Sequence, residues 1–160
     1  MNYKDIDINK ITIDKNLRIL YKKNKLHIIT PILYLPFGID KSYNNIFLKM
    51  QLKKNYYKDD TYLKFTNFIK NLEQKFHELT TKEINSQLTE NEKFGNVLIT
   101  KVPNINGKIN IDIMKNKHFE LFSNINKKDF MVLELVFDKL WIYNQTMLTY
   151  KIKVKKINIM

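Results

Sequence analysis

The sequence predicts a mainly β protein with one long helix, which is either a small β-barrel or an α+β fold. Apolar and polar residues alternate with a period of two in several short segments, as they do on half-buried strands. Only residues 60–79 show apolar positions at convincing helical spacing. The 160 residues are enough for one domain with its own core, and no internal repeat divides them.

The first strand signals lie in the N-terminal third of the chain. Residues 1–24 carry a weak apolar alternation and are predicted as an N-terminal arm or an edge strand, ahead of a single domain over residues 25–160. Residues 26–35 are rich in β-branched side chains and are predicted as one strand. Pro31 then belongs at an edge or a bulge, because proline lacks the ladder donor. Residues 45–52 alternate cleanly and are predicted as the next strand.

The predicted helix covers residues 60–79. Its apolar stripe consists of Phe65, Phe68, Ile69, Leu72, Phe76 and Leu79. Asp59, Asp60 or Thr61 can cap the N-terminus, where an acidic side chain also favours the helix dipole.

Two further hairpins are predicted after the helix. Residues 96–102 and 108–113 read as strands joined by a loop that contains Asn106-Gly107, a pair that supplies the positive φ angles of a turn. Residues 114–129 give no clear pattern. Residues 130–160 contain two apolar runs around a short polar turn, which predicts the closing hairpin.

The second arm of the closing hairpin carries the strongest functional signal. Apolar Tyr150, Ile152 and Val154 alternate there with Lys151, Lys153 and Lys155. On a strand, this places the apolar side chains on one face and a row of ammonium groups on the other. The only tryptophan, Trp141, stands just before the turn. Basic groups beside aromatic rings suit a surface that holds a phosphodiester chain and stacks its bases. An ordinary amphipathic hairpin in a lysine-rich protein is the alternative interpretation.

Composition narrows the classes of partner. The formal charge of +12 favours nucleic acid or an anionic membrane. The same charge also fits an A/T-rich genome, since Arg18 is the only arginine and alanine is absent. Without cysteine the chain has no disulfide and no thiolate metal site. No apolar run reaches the roughly 18 residues of a membrane span, and the N-terminus lacks a signal-peptide core. We therefore predict a soluble, intracellular protein without a membrane partner.

Catalytic signals are weak. Glu73 and His77 lie four residues apart, but no further metal ligand is marked, so a salt-bridged or solvated helix face is predicted. The glycines Gly38, Gly95 and Gly107 are isolated and form no phosphate-binding loop. We predict no enzyme, no cofactor and no metal. A metal-dependent nuclease would instead need four carboxylates to converge, namely Asp59, Asp112, Glu120 and Glu134.

Five segments together resemble a known family: residues 30–39 (TPILYLPFGI), 46–52 (IFLKMQL), 68–73 (FIKNLE), 135–142 (LVFDKLWI) and 150–155 (YKIKVK). They resemble the single-stranded-DNA-binding proteins of nucleocytoplasmic large DNA viruses, a group similar to the small replication single-stranded-DNA-binding protein of short-tailed phages. The resemblance covers about residues 25–156. It implies an OB-fold-like, five-stranded Greek-key barrel with one helix between strands and an oligonucleotide-binding face.

Two departures from that family stand out. Family members carry glycine in the final turn, where Met147, Leu148 and Thr149 stand in this chain. The phage proteins end in an acidic tail that contacts replication partners, whereas residues 156–160 read KINIM. The resemblance therefore does not carry tail-mediated recruitment over to this chain.

The leading interpretation is non-catalytic, sequence-tolerant binding of single-stranded DNA in viral DNA replication, recombination or repair. The predicted phosphate contacts are Lys49, Lys53, Lys151, Lys153 and Lys155. The predicted base-stacking rings are Trp141, Tyr143 and Tyr34. Stacking and phosphate contacts serve RNA equally, so the sequence does not separate the two nucleic acids.

Other properties follow from this interpretation as expectations. Replication proteins and a second copy of the chain are candidate partners, and a viral protein of this kind would act in the cytoplasmic viral factory or the nucleus of its host. The alternative function is a protein-interaction or virion structural module on a barrel scaffold without DNA binding. One continuous positive groove with exposed rings would favour DNA, whereas evenly spread lysines would favour the alternative.

Overall fold

A computed structural model describes residues 1–90 and 95–160 of the chain. The protein is mainly β with one α-helix, as the sequence predicts. The helix α1 is Thr61–Thr80. The strands are β1 (Ile11–Ile13), β2 (Ile19–Tyr21), β3 (Asn24–Ile29), β4 (Leu33–Leu35), β5 (Ile39–Ser42), β6 (Asn45–Leu52), β7 (Glu83–Asn85), β8 (Leu88–Thr89), β9 (Asn96–Val102), β10 (Asn104–Ile105), β11 (Lys108–Ile109), β12 (Asp112–Lys115), β13 (His118–Phe119), β14 (Asp129–Ile142) and β15 (Met147–Ile159).

The central strands close into a barrel. β4 pairs with β6, β6 with β9, β9 with β15 and β15 with β14, and β14 returns to β4. The β9–β15 pair is parallel and the other pairs are antiparallel. β3 and β4 lie along the same edge of β14. β4 pairs with the start of β14, and β3 pairs with its middle. The order of the five strands around this Greek-key barrel is OB-fold-like, which confirms the predicted fold class.

The helix closes over the core with its predicted apolar stripe except at Leu79, which is 43% exposed. Phe65, Leu72 and Phe76 are buried, and the Phe76 ring meets Tyr150 of β15 edge-on, with 5.4 Å between ring centroids. Of the predicted capping residues, Asp60 occupies the N-cap position without a side-chain capping hydrogen bond, and Asp59 just before it accepts a hydrogen bond of 2.9 Å at Oδ1 from the Thr61 amide. Packing of the stripe and a capped first turn together explain why this segment is helical.

The strand predicted over residues 26–35 is interrupted at Pro31. β3 ends at Ile29 and β4 begins at Leu33, because Pro31 has no N–H to donate to β14. Thr30 keeps the chain attached at this point. Its amide donates to the Leu133 carbonyl at 2.9 Å, and its hydroxyl accepts from the Leu133 amide at 3.0 Å. The proline therefore divides one predicted strand into two that share the same partner.

The N-terminal residues 1–24 pack onto the domain. Tyr3 is buried, and its ring centroid lies 4.9 Å from that of Phe65 and 5.6 Å from that of Phe68 on α1. β1 and β2 form an antiparallel hairpin at one end of the sheet. Ile11 and Ile19 of this hairpin belong to the same hydrophobic cluster as the barrel interior.

The hairpin predicted over residues 96–113 is wrong in its second arm. β9 has the predicted bounds, and Asn106 and Gly107 take the predicted positive φ angles, 52° and 81°. That turn, however, joins only the short strands β10 and β11. The chain then crosses over, and β12 lies parallel to β15, with Ile113 opposite Ile157. A positive-φ pair specifies a turn, but it does not determine which strands the turn connects.

Candidate nucleic-acid interface

The closing hairpin is present as predicted, and the apolar and basic residues that alternate in its second arm are alternately buried and solvent-facing. Tyr150, Ile152 and Val154 face the barrel interior and are buried, whereas Lys151 and Lys153 point outward. The turn itself is residues 143–146, so the residues compared with the family's glycine lie in β15 rather than in the turn.

The predicted row of three lysines is regular only for its first two members. Leu135 pairs with Val154 but Glu134 pairs with Lys156, so the register shifts between these positions. Lys155 is the extra residue of this bulge. It is exposed and lies beside the row instead of continuing it.

Lys101 on β9 joins the two regular lysines. It is the register partner of Lys153 across the parallel β9–β15 pair. Burial first, and then the charges of Lys151 and Lys153, lower the pKa of Lys101 below its ordinary value. We call Lys101, Lys151 and Lys153 the lysine cluster. Its mutual repulsion makes it a site that an anion would stabilise.

Lys101 was not among the residues predicted from the sequence. The signal was available, because residues 96–102 were predicted as a strand, and alternation places Lys101 on the face opposite Leu98 and Val102. It was missed because a single lysine in one strand is unremarkable until the neighbouring strand is known.

The predicted contacts on β6 separate into two places. Lys49 points outward beside Ile99 of β9, and its Nζ lies 2.9 Å from Asp40 Oδ2 on β5. Phe47 is half-buried and lies opposite Lys101, so an apolar ring adjoins the lysine cluster. Lys53 follows the end of β6 and lines a different cleft, together with Lys54, Tyr57, Lys58 and Gly95.

Trp141 and Tyr143 lie at one end of the face. Trp141 is 46% exposed and pairs with Thr149, which makes it the diagonal neighbour of Lys151 across β14 and β15. The Nζ of Lys139 lies 4.0 Å from the centroid of the Trp141 ring, a cation–π contact. Tyr143 is exposed in the turn that follows.

Tyr34 belongs to a ring cluster at the other end. It lies 4.8 Å from Phe130 and 5.0 Å from Tyr56, measured between ring centroids, and Tyr56 and Phe130 also contact each other. The neighbouring rings partly cover Tyr34, while Tyr56 and Phe130 remain 37% and 39% exposed. The rings most available for stacking here are therefore Tyr56 and Phe130. The sequence analysis assigned no role to Phe130.

The aromatic groups flank the lysine cluster along β14. Phe130 and Trp141 are 11 residues apart on this strand, a path of roughly 36 Å at about 3.3 Å per residue. Lys153 pairs with Val136 near the middle of that path. The outer face therefore presents rings, then lysines, then rings.

Asp138 adds a carboxylate to this face. Its oxygens lie 3.3 Å from Lys153 Nζ and 3.5 Å from Lys25 Nζ. Burial acts to raise the pKa of Asp138, but the hydrogen bond and charge of Lys153, followed by the charge of Lys25, hold that pKa below its ordinary value. Asp138 is therefore an anion that two lysines share.

Glu73 does not form the predicted salt-bridged or solvated helix face. Its carboxylate turns inward, where the Ser86 hydroxyl donates a hydrogen bond of 2.7 Å, and burial raises the pKa of Glu73. His77 instead uses Nδ1 for a 2.7 Å contact with the Lys82 carbonyl. Among residues 1–90 and 95–160, no three acidic or histidine side chains lie close enough to hold a metal ion. No helix in the same residues is long and apolar enough to cross a membrane.

No protein-family model matches the sequence, and no curated protein sequence does either. Solved structures that are similar in fold include two phage proteins. The crystal structure of gp2.5, a single-stranded DNA binding protein encoded by bacteriophage T7, has a TM-score of 0.54 and 10% sequence identity, and the alignment covers 84% of this chain and 86% of that one. The single-stranded DNA-binding protein from bacteriophage Enc34 has a TM-score of 0.54 and 14% identity, with 94% and 89% covered. At such identities the likeness establishes the fold, so this chain has the fold of these phage proteins.

Proposed function

We propose that the protein binds single-stranded DNA without sequence specificity, through the outer face formed by β6, β9, β14 and β15. The observation that carries this proposal is the lysine cluster. Lys101, Lys151 and Lys153 gather like charges on one patch of adjoining strands, and burial together with the charges of Lys151 and Lys153 lowers the pKa of Lys101. A cluster that disfavours its own charge is stabilised by an approaching polyanion.

The surroundings of the cluster favour a single strand as that polyanion. Rings with exposed faces lie on both sides, Trp141 at one end and Tyr56 with Phe130 at the other. Bases of a single strand can stack on such rings, and each stacked base contributes about 1–3 kcal/mol. In a duplex the bases are already stacked on one another. The two phage structures compared above are both described as single-stranded DNA-binding proteins, which supports the same choice.

The roles proposed for individual residues follow from their positions. Lys101, Lys151 and Lys153 would neutralise phosphates, Lys49 would extend the path across β6, and Trp141 would stack a base. Lys53 and Lys155 lie off the centre of the face and would contact a longer strand. Tyr34 would support Tyr56 and Phe130 more than stack itself, and Tyr143 would act from the hairpin turn.

The wider assignment is also a proposal. We place the chain near the single-stranded-DNA-binding proteins of nucleocytoplasmic large DNA viruses, on the sequence segments described above. In that setting it would act as a soluble, non-enzymatic factor in viral DNA replication, recombination or repair, in the host cytoplasm or nucleus. RNA, replication proteins and a second copy of the chain are the further partners this role allows.

One observation favours the alternative function of a protein-interaction module. Phe119 on β13 is 78% exposed, and Leu121 close by is also exposed, at the end of the sheet where, among residues 1–90 and 95–160, β13 pairs only with β12. Exposed apolar side chains of this kind suit a protein contact. Charge reversal of the lysine cluster would then leave nucleic-acid affinity negligible in both forms of the protein.

The test of the proposed function is a titration with a mixed-sequence single-stranded oligonucleotide, followed through the fluorescence of Trp141, the only tryptophan. We expect saturable binding at low salt that weakens steeply between about 50 and 200 mM salt, because lysine contacts release counterions. An oligonucleotide that fails to bind at low salt, or whose affinity ignores salt, contradicts the proposal.

A further inference from the structure

We propose that Asp40 and Asp138 are internal counter-ions that occupy two of the phosphate-binding lysines and limit the affinity for single-stranded DNA. This inference rests on the proposed function. Its starting point is that two of the predicted phosphate contacts, Lys49 and Lys153, already hold a carboxylate in the free protein.

Strand pairing fixes the position of Asp138. Val136 is the register partner of Lys153, and the register shifts between Phe137 and Leu140. This bulge includes Asp138 and turns its carboxylate toward β15, where it meets Lys153 at 3.3 Å. Asp138 also lines a cleft together with Lys25, Lys153 and Lys155. One carboxylate is therefore paired with two ammonium groups, those of Lys153 and Lys25, in a cleft that Lys155 also lines.

Asp40 occupies the corresponding position on the other side. It is the register partner of Phe47, and its carboxylate reaches Lys49, two residues further along β6, at 2.9 Å. Across the face, the order of charged side chains is Asp40, Lys49, Lys101, Lys151 with Lys153, and Asp138. The carboxylates thus border the lysine cluster on both sides. Within the described residues, Lys101 and Lys151 form no ion pair.

Stability offers little reason for these pairs. Their side chains are substantially exposed, 45% and 41% for Lys49 and Asp40, and 40% and 26% for Lys153 and Asp138. Exposed pairs of this kind contribute little to folding. For a phosphate that approaches Lys153, however, Asp138 is a competitor that must be displaced or tolerated nearby. The pair consequently acts on binding more than on folding.

The size of the effect can be estimated from counterion release. Each lysine–phosphate contact to a single strand changes log Kd by about 0.7 for a tenfold change in salt, or about fivefold at 0.1 M relative to 1 M. Removing one competing carboxylate makes one such contact fully available. We therefore expect Asp138→Asn to lower Kd about fivefold at 0.1 M salt and to steepen the salt dependence by about 0.7.

The experiment compares two substitutions that break the same ion pair from opposite sides. Asp138→Asn and Lys153→Gln both remove the Asp138–Lys153 pair, but the first is expected to tighten oligonucleotide binding and the second to weaken it. Asp40→Asn and Lys49→Gln repeat the comparison on β6. The matched control is Asp60→Asn, which removes the same charge from an exposed pair with Lys64 on α1, at 3.3 Å, and is expected to leave Kd nearly unchanged. Thermal unfolding of each variant reports any change in folding.

The outcomes separate the two proposals. If the unmodified protein binds and Asp138→Asn tightens binding while Asp60→Asn does not, the inference holds. If the unmodified protein binds but Asp138→Asn and Asp40→Asn bind equally or more weakly, the counter-ion role is overturned and the proposed function stands. If neither the unmodified protein nor these variants bind at low salt, the proposed function falls and the inference falls with it.

Discussion

The centre and the flanks of the candidate interface both present lysine side chains, but within residues 1–90 and 95–160 those at the centre have no carboxylate partner and those at the flanks are ion-paired. At the centre, Lys101 and Lys151 face each other without a carboxylate partner among the described residues, and the pKa of Lys101 is lowered. At the flanks, Lys49 on β6 is held by Asp40, and Lys153, the outermost member of the lysine cluster, is held by Asp138. The difference teaches that a count of lysines overstates the charge available to a phosphate chain, because some of the lysines on this face are already paired with carboxylates.

The largest expected effect comes from reversing the centre. Lys101→Glu with Lys151→Glu changes the local charge by four units, which corresponds to a loss of affinity on the order of several hundredfold at 0.1 M salt. The matched control, Lys64→Glu with Lys75→Glu, makes the same change of charge on α1. Equal losses in the two variants would mean that total charge, rather than this face, determines binding. Fluorescence anisotropy of a labelled oligonucleotide measures both.

A smaller effect is expected from the ring beside the centre. Trp141→Ala removes a stacking surface worth about 1–3 kcal/mol, which is about 5- to 150-fold in Kd. Anisotropy of a labelled oligonucleotide is again the readout, since this variant has lost its tryptophan. Phe119→Ala serves as the control, because Phe119 is also exposed but lies on β13. An unchanged Kd for Trp141→Ala would contradict base stacking on the Trp141 ring.

The substitutions at Asp40 and Asp138 sharpen the comparison further, with the smallest change and the opposite sign. Fivefold tighter binding would mean that Lys49 and Lys153, once freed from their carboxylates, contact phosphate as the central lysines do. The three sets of variants therefore rank the centre, the ring and the flanks in turn.

The parts of the fold that depend on local pattern were predictable. Alternation identified β6 and β9 with their observed bounds, and helical spacing identified α1. The hairpin of β14 and β15 followed from two apolar runs around a polar turn. In each of these elements, burial of one face agrees with the local propensity of the chain.

The parts that depend on strand neighbours were not predictable. The sequence gives no indication that β12 would cross over to pair with β15, or that Thr30 would hold the ladder at Pro31. The same limit applies to the interface. The role of Lys101 depends on Lys153 on the adjoining strand, and Lys49 is already paired with Asp40. Register between strands distant in sequence decided each of these cases.

The most direct test of the account is to map the contact surface by NMR. Backbone amide shifts would be recorded while a mixed-sequence single-stranded oligonucleotide is added to the full chain at low salt. The account predicts that the largest shift changes occur in residues 99–102 of β9 and 149–153 of β15, with a further group near Trp141. Changes concentrated on α1 or β13, with β9 and β15 unaffected, would contradict it.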